Sequence, residues 1–259
     1  MDINNIPTRD LINSPVCILS FEEQINQIIV WAKSCQSRIV CVANVHMLVE
    51  AAQNLNFATV LKKADLVTPD GMPLVLMLKL MGVDRAERVA GMDIFLSTCQ
   101  RAAQAELSIF LLGSKPEILD KICRRLKQEF PTLIIAGVKS PPFIPIISNL
   151  DLETVQSINT SGAKIVFVAL GCPKQELWMI QHREKIPAVM IGVGGVFPVY
   201  AGIMKPAPQL IQQMGFEWLF RLVQEPQRLW RRYATTIPVF LYLAFKQLLH
   251  KKKRWIEPE

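Results

Sequence analysis

Short apolar segments alternate with segments of helical periodicity over most of the chain. These apolar segments are rich in Val, Ile and Leu, which is the composition of buried strands. They occupy residues 38–42, 64–67, 107–112, 133–138, 164–170 and 188–192. Strands that alternate with helices at this spacing indicate a parallel sheet with right-handed crossover connections. We therefore predict an α/β fold in which helices flank a parallel sheet.

Polar residues predict several boundaries between these segments. Ser20 and Glu23 form a capping-box pattern ahead of the first helix. Ser114 and Glu117 have the same spacing and predict a second helix start, with Ser114 as the cap. The prolines within residues 141–145 indicate a stiff connection between a strand and the next helix.

The composition is that of a globular protein with a large core. The 259 residues are 51% hydrophobic and 20% charged, which suits one large α/β domain or a domain with an appendage. After about Pro206 the alternation gives way to helical segments rich in Trp, Phe and Arg. We therefore expect a main domain over residues 1–201 and a helical, basic appendage over residues 202–259.

The appendage carries much of the excess positive charge. The formal net charge is +7, and the late basic residues are Arg221, Arg228, Arg231, Arg232, Lys246 and residues 251–254. A basic end of this kind can meet nucleic acid, anionic lipid or phosphorylated small molecules. Residues 238–249 are mostly apolar and suit a helix that lies on a membrane surface. The alternative is a helix docked on the core, followed by a solvated charged tail.

Cysteine and histidine usage gives no sign of a metal site. The six cysteines are scattered without a Cys-x-x-Cys pair, and His46 and His182 are isolated. This pattern favours reduced thiols in the cytosol and argues against structural zinc. Residues 1–10 do not resemble a signal peptide, and no uninterrupted apolar run approaches the ~20 residues that span a bilayer. We expect neither a metal nor another cofactor.

The strongest candidate for chemistry is Asp70, in the sequence Thr-Pro-Asp-Gly-Met-Pro of residues 68–73. The preceding strand and the following helix place this carboxylate at the carboxyl end of a parallel strand, where open α/β sheets bind ligands. Gly71 permits a tight turn, and Pro73 suits the first turn of a helix. Burial at such a loop would tune the pKa of Asp70 for work as a general base. The alternative is that Asp70 only caps the helix.

Other polar residues follow the strands in the same way. Arg88 offers a planar, permanently charged group for a phosphate or carboxylate, and Asp93, just after Gly91, could accept hydrogen bonds from sugar hydroxyls. Gln175 could bind the hydroxyls or oxygens of a ligand. Asn44 and Glu176 also follow strands. Structural alternatives exist for three of these residues: Asp93 could cap a helix, Glu176 could be a first-turn charge, and Asn44 could be a turn residue.

Several common motifs are absent or incomplete. Residues 192–197 resemble a dinucleotide fingerprint, but the third glycine is missing and Pro198 stands where the helix should be under way. The sequence contains no Walker A lysine motif, no Asp-x-Asp metal pair and no defensible Ser-His-Asp arrangement. Two alternative functions stay open. The glycines within residues 192–195 would suit a nucleotide-binding redox enzyme, and the basic tail would suit a non-catalytic peripheral membrane module.

Taken together, the ordered motifs resemble the WecG/TagA/CpsF glycosyltransferases, glycosyltransferase family 26. The resemblance runs from about Val40 to Tyr233. The motifs that carry it are Asn44 with its helix, Pro69-Asp70-Gly71-Met72, Arg88-Val89-x-Gly91-x-Asp93, Phe110-Leu111-Leu112-Gly113, Gly171-x-Pro173-Lys174-Gln175-Glu176, Gly192-Val193-Gly194, Ala207-Pro208, Glu217-Trp218-Leu219-Phe220-Arg221 and Glu225-Pro226-x-Arg228-x-x-Arg231-Arg232-Tyr233.

The resemblance implies a Rossmann-like fold of the GT-E type with a membrane-targeting appendage. It also implies an inverting, metal-independent transfer of a sugar from a UDP-sugar to a polyprenyl-diphosphate-linked saccharide at the cytoplasmic face of the cell membrane. The partners would then be these two substrates and the membrane surface, without nucleic acid, and homo-oligomer formation stays open.

The resemblance also assigns expected roles to individual residues. Asp70 would be the general base, and Asn44 and Gln175 would act beside it. The substrate-binding set would be Arg88, Gly91, Asp93, Gly171, Glu176, Gly194, Arg221, Arg228 and Arg231, with the last three near the lipid diphosphate.

Two positions depart from the family pattern. Val42 stands where the family often has threonine, so a hydroxyl contact is lost, and Pro73 stands where the family often has glycine. Both changes could alter the donor preference away from N-acetylmannosamine, so the sequence leaves the donor sugar open.

Overall fold

The computed structural model describes residues 6–140 and 151–254. The proline-rich connection predicted at residues 141–145 lies outside these ranges. The first element is an antiparallel hairpin of β1 (Thr8–Leu11) and β2 (Ser14–Cys17), followed by α1 (Phe21–Lys33). The sequence analysis did not predict this hairpin.

A six-stranded sheet forms the centre of the molecule. Its strands are β3 (Arg38–Ala43), β4 (Leu66–Pro69), β5 (Ser108–Gly113), β6 (Ile134–Lys139), β7 (Ile165–Ala169) and β8 (Val189–Gly192). They are arranged in the order β4-β3-β8-β7-β5-β6, and every neighbouring pair is parallel. The predicted parallel sheet is therefore confirmed, and all six strands that belong to it were expected from the sequence.

Helices cover both faces of this sheet. Between the strands lie α2 (Val45–Gln53), α3 (Leu55–Lys63), α4 (Met72–Leu80), α5 (Gly91–Gln104), α6 (Pro116–Glu129), α7 (Leu152–Ser161) and α8 (Lys174–Gln181). Successive residues of a strand point to opposite faces, so Ile39 and Cys41 join one apolar cluster while Val40 and Val42 join the other. The result is a three-layer, Rossmann-like α/β fold.

Helix starts agree with the sequence in one place and differ in another. Ser20 and Glu23 form both hydrogen bonds of a capping box at α1, as predicted. The prediction for Ser114 was wrong, because α6 begins at Pro116 with Lys115 as its N-cap and without a capping side chain. Ser114 instead has a φ of 67°, so the chain turns sharply there before the helix can start.

The carboxyl-terminal part is helical. It contains α9 (Val196–Tyr200), α10 (Gln209–Gln213), α11 (Glu217–Gln224) and the long α12 (Pro226–Arg254). One face of α12 packs on the core, with Phe240 buried and Val239 and Leu243 against the same cluster as α2. The side chain of Gln247 also joins α12 to the hairpin through a 2.8 Å hydrogen bond from the Ile12 backbone N–H.

The opposite face of α12 is apolar and exposed. Its large exposed side chains are Leu241, Tyr242, Phe245 and Leu249, which are 46–64% exposed. The predicted docking on the core therefore holds for one face of α12, and binding of the exposed face to a membrane surface stays a prediction. None of the helices within residues 6–140 and 151–254 is long and apolar enough to cross a membrane.

Candidate active site

The candidate site lies where the carboxyl ends of four neighbouring strands meet. The sheet order places β4, β3, β8 and β7 side by side. Asp70 follows β4, Asn44 follows β3, Gly194 follows β8 and Gly171 follows β7. The fold thus brings to one edge four loops that are far apart in the sequence.

Asp70 is held by its own loop and by the segment before α5. Its backbone N–H donates to the Ala43 carbonyl at 2.9 Å, which continues the pairing of β3 with β4. Its Oδ1 lies 3.4 Å from Arg88 Nη2 and 3.4 Å from the Gly91 backbone N–H. The N-cap of α4 is Gly71, without a capping side chain. The structural alternative for Asp70, a helix cap, is therefore wrong.

The surroundings of Asp70 favour its neutral form. The side chain is 24% exposed, and burial raises the pKa of Asp70 above its ordinary value. The positive charge of Arg88 opposes this rise in pKa, while the negative charge of Glu217 adds to it. A carboxylate with a raised pKa accepts a proton more readily than an ordinary aspartate, as a general base must.

Arg88 joins the main domain to the appendage. Its Nε donates to the Asp70 carbonyl at 2.6 Å, and its Nη1 donates to Gln212 Oε1 at 3.0 Å. Its Nη2 lies 2.6 Å from Glu217 Oε2. The other oxygen of Glu217 is 2.7 Å from Arg221 Nη2, so one carboxylate bridges two arginines beside Asp70.

The loop after β3 and the start of α5 complete this side of the site. Asn44 caps α2, with its Oδ1 accepting from the Met47 backbone N–H at 3.2 Å, so it has a structural role as a helix cap where a turn residue was the predicted alternative. Gly91 is the first residue of α5, and a Cβ there would lie 3.2 Å from Val196 Cγ2. Asp93 is exposed in the first turn of α5 and is not its N-cap, which is Ala90.

The loop after β7 presents two buried polar residues. Gln175 is 3% exposed, and its Oε1 accepts from the Gly171 backbone N–H at 3.2 Å. Its Nε2 donates to Glu176 Oε1 at 2.7 Å, while Glu176 Oε2 is buried without a hydrogen-bond partner among the described residues. Glu176 lies in the first turn of α8, as its structural alternative predicts, and burial raises its pKa to about 7.

The glycines at the end of β8 and just after it pack against Gln175. A Cβ at Gly192 would lie 3.0 Å from Gln175 Nε2, and one at Gly194 would lie 3.5 Å from Gln175 Oε1. The amide of Gln175 therefore fills the space over the glycines that resembled a dinucleotide fingerprint. Gly194 has a φ of 51°, which favours glycine at this turn.

The three predicted arginines of the appendage have different positions. Arg221 lies over the site, with Nη1 3.3 Å from the position of a Cβ on Gly195. Arg228 is exposed, and its Nε donates to Glu225 Oε1 at 2.9 Å. Arg231 is also exposed, with its guanidinium 5.3 Å from the centroid of the Trp230 ring. The structure therefore brings Arg221, but neither Arg228 nor Arg231, into contact with the groups around Asp70.

Sequence reasoning missed the contacts that Glu217 and Gln212 make with Arg88, and it missed the burial of Arg232 Nε. Glu217 precedes Arg221 by one helical turn, and this spacing was the available signal for an ion pair. Its second contact, to Arg88, joins residues 129 positions apart and has no local signal. Among the described residues, no group of three or more His, Cys, Asp or Glu side chains could hold a metal ion, and all six cysteines are free.

Comparisons with known proteins agree with this architecture. A profile described as the glycosyl transferase WecG/TagA/CpsF family matches residues 9–254. A protein of Bacillus spizizenii (strain W23), named N-acetylglucosaminyldiphosphoundecaprenol N-acetyl-beta-D-mannosaminyltransferase, is 35% identical over 208 residues, which cover 80% of this chain and 78% of the relative. A protein of the same name from Bacillus subtilis (strain 168) is 30% identical over 222 residues, covering 85% and 84%. The chain therefore belongs to the WecG/TagA/CpsF family of glycosyl transferases.

Proposed function

We propose that this glycosyltransferase transfers a hexose or N-acetylhexosamine from a UDP-sugar to a polyprenyl-diphosphate-linked saccharide, with inversion at the anomeric carbon. The observation that carries the proposal is the partly buried Asp70 carboxylate, held beside Arg88 at the carboxyl end of a parallel strand. The names of the two Bacillus relatives support a lipid-diphosphate acceptor that bears N-acetylglucosamine.

In the proposed reaction, Asp70 takes the proton of the acceptor hydroxyl. The acceptor oxygen then forms the new bond to the anomeric carbon, and the bond from that carbon to the diphosphate oxygen breaks. A single displacement of this kind inverts the anomeric configuration and needs only one base. General base catalysis by a positioned carboxylate typically contributes about 10²–10⁴-fold.

The departing diphosphate requires stabilisation of its negative charge. Arg88 and Arg221 both pair with the Glu217 carboxylate, so two guanidinium groups lie close to Asp70. We infer that phosphate oxygens replace Glu217 as the partner of these two arginines when the substrates bind. Arginine suits this role because its planar group binds phosphate through two parallel hydrogen bonds.

The division of the chain supports a separate role for the appendage. We propose that residues 1–201 form the catalytic domain and that residues 202–259 hold the enzyme on the inner face of the cell membrane, as a peripheral cytoplasmic protein. The exposed apolar face of α12 and the basic residues 251–254 in its sequence support this proposal. Each basic residue near an anionic membrane adds about 1 kcal/mol to binding.

The departures from the family pattern bear on the donor sugar. Val42 is buried, and its Cγ1 lies 3.4 Å from the position that a Cβ on Gly91 would take. An apolar side chain therefore packs against the start of α5 at this position. Pro73 lies in the first turn of α4, as predicted. The experiment that tests the function is incubation with a panel of UDP-sugars and a short-chain diphosphate-lipid acceptor, followed by mass spectrometry of the product.

A further inference from the structure

Arg232 differs from its neighbours on α12. Arg228 is paired with Glu225, and Arg231 lies over the Trp230 ring. Arg232 is half-buried, and its Nε is fully buried without a hydrogen-bond partner among residues 6–140 and 151–254. It belongs to none of the ion pairs formed within those residues. A buried N–H group without a partner lowers stability, so the Nε–H of Arg232 points to a missing hydrogen-bond acceptor.

A cavity next to Arg232 has room for such an acceptor. It has a volume of about 240 Å³ and lies between α2, which contributes His46, Glu50 and Gln53, and α12, which contributes Arg232, Thr235 and Thr236. Pockets for drug-sized ligands occupy about 300–1,000 Å³. This smaller cavity suits one compact polar unit.

Among the described residues, the cavity is lined by one cation, Arg232, and one carboxylate, Glu50, which together suit a ligand that has an anionic group at one end and hydroxyl groups at the other. Burial, with the charge of Arg232 adding to it, lowers the pKa of His46 to about 4, so the ring is neutral at pH 7 and can donate one N–H. Arg232 is then the cation on this wall. Glu50 and Gln53, further along α2, offer acceptors for hydroxyl groups.

The cavity adjoins the candidate active site. Asn44, which caps α2, is two residues before His46. On the other side, burial raises the pKa of Cys172 and Glu176, two residues of the loop that also contains Gln175, and the nearby charge of Arg232 opposes both rises. A ligand in the cavity would therefore lie beside two of the loops that form the site.

We propose that the cavity between α2 and α12 binds a phosphorylated sugar unit, with the phosphoryl group on Arg232 and sugar hydroxyls on Glu50 and Gln53. This inference rests on the proposed function, because the UDP-sugar and the polyprenyl-diphosphate-linked saccharide both contain such a unit. Nothing in the sequence motifs marked Arg232 as different from Arg231, which is exposed.

Calorimetric titrations of the full chain test the proposal and identify the source of the phosphoryl group. The two ligands are UDP and a short-chain polyprenyl-diphosphate that bears N-acetylglucosamine. Arg232→Gln is expected to weaken one of them by about 10–100-fold, which is the effect of losing a charge-assisted hydrogen bond to phosphate. Arg232→Lys keeps the charge without the planar group and should also weaken that ligand. The matched control is Arg124→Gln, at an exposed arginine of α6, which should change neither affinity.

Two further measurements separate a binding role from a structural one. Arg232→Gln removes a half-buried charge whose Nε–H has no partner among the described residues, so the Tm of the free protein should stay the same or rise. Gln53 is exposed at the cavity, and substitutions at exposed positions usually change stability little. Gln53→Glu should weaken, and Gln53→Lys should tighten, binding of the same ligand that responds to Arg232.

The outcomes distinguish this inference from the proposed function. If the wild-type protein binds the ligands while Arg232→Gln and both Gln53 variants bind them within about two-fold of wild type, the cavity is not a substrate subsite, although the enzyme's function stands. If the wild-type protein binds neither ligand, the proposed function fails and this inference fails with it.

Discussion

Asp70 has three charged neighbours, and their balance defines its chemistry. We expect Asp70→Asn to lower the rate of sugar transfer by about 10²–10⁴-fold, because the amide keeps the shape of the side chain but does not accept a proton. The measurement is kcat with a soluble diphosphate acceptor, together with the Tm of the variant. A normal Tm is expected, since the hydrogen bonds that Asp70 Oδ1 accepts from Arg88 and from the Gly91 backbone N–H are both long, at 3.4 Å.

The matched control for this substitution is Asp120→Asn, at an exposed position on α6. It removes the same charge at a distance from the site and should leave kcat unchanged. Transfer by Asp70→Asn at a rate close to wild type would exclude Asp70 as the base.

The pH dependence of transfer should report the charge of Glu217. The negative charge of Glu217 raises the pKa of Asp70, so Glu217→Gln should lower that pKa. Because the base must be deprotonated, kcat/KM falls as pH falls through the pKa of Asp70 in the free enzyme. The acidic limb of the pH profile is therefore expected to move to lower pH in Glu217→Gln.

Glu117→Gln, an exposed first-turn residue of α6, is the control for that profile. A limb that stays in place in Glu217→Gln, or moves to higher pH, would show that Glu217 does not set the pKa of Asp70. A purely structural role of Glu217 would lower the rate without moving the limb.

Among the helices, α12 has two faces with different tasks. Removal of residues 237–259 is a poor test of membrane binding, because it would also uncover the core against which Val239 and Phe240 pack. The double variant Leu241→Gln/Phe245→Gln alters only exposed side chains. We expect it to bind anionic vesicles more weakly, by roughly 10-fold or more, since burial of a large apolar side chain contributes about 1.5–3 kcal/mol.

The comparison variant is Leu55→Gln/Leu152→Gln, at two exposed leucines of α3 and α7. Its vesicle binding should equal that of the wild-type protein, and both double variants should keep the wild-type Tm. Equal vesicle sedimentation of the α12 variant and the wild type at low salt would refute the membrane role of this face.

The elements were largely predictable, and the exceptions have physical causes. The alternation of apolar and helical segments carries local information, so the sheet strands and the capping box of Ser20 follow from it. The hairpin does not follow from this alternation, because its strands are four residues each and its turn uses Ile12 and Asn13 at φ values of 52° and 61°. Asn is common in such turns, but Ile is not, so the turn signal is weak.

The candidate site as a whole was predictable only in part. Placement of Asp70, Asn44 and Gly171 at one edge follows from the position of each after a strand, because parallel strands share their carboxyl ends. The contacts between the main domain and the appendage depend on tertiary packing. The bond between Arg88 and Glu217 and the burial of Arg232 therefore became visible only in the folded chain.

At the scale of the whole molecule, we expect the enzyme to transfer sugar without a divalent metal ion. The sequence has no Asp-x-Asp pair, and Arg88 and Arg221 converge where the diphosphate charge is expected. Treatment with excess EDTA should leave the transfer rate within about two-fold of the untreated enzyme, because arginine and backbone N–H groups meet that charge. Loss of turnover that Mg²⁺ or Mn²⁺ restores would contradict this prediction.

The central claim is that this chain transfers a sugar from a UDP-sugar to a diphosphate-linked lipid saccharide with inversion. The most direct measurement is the mass and anomeric configuration of the product formed from a panel of UDP-sugars and a short-chain polyprenyl-diphosphate N-acetylglucosamine. We expect the acceptor to gain one hexose or N-acetylhexosamine, with the anomeric configuration opposite to that of the donor. A product with the donor's configuration, or no product from any UDP-sugar while the folded enzyme is present, would contradict the account.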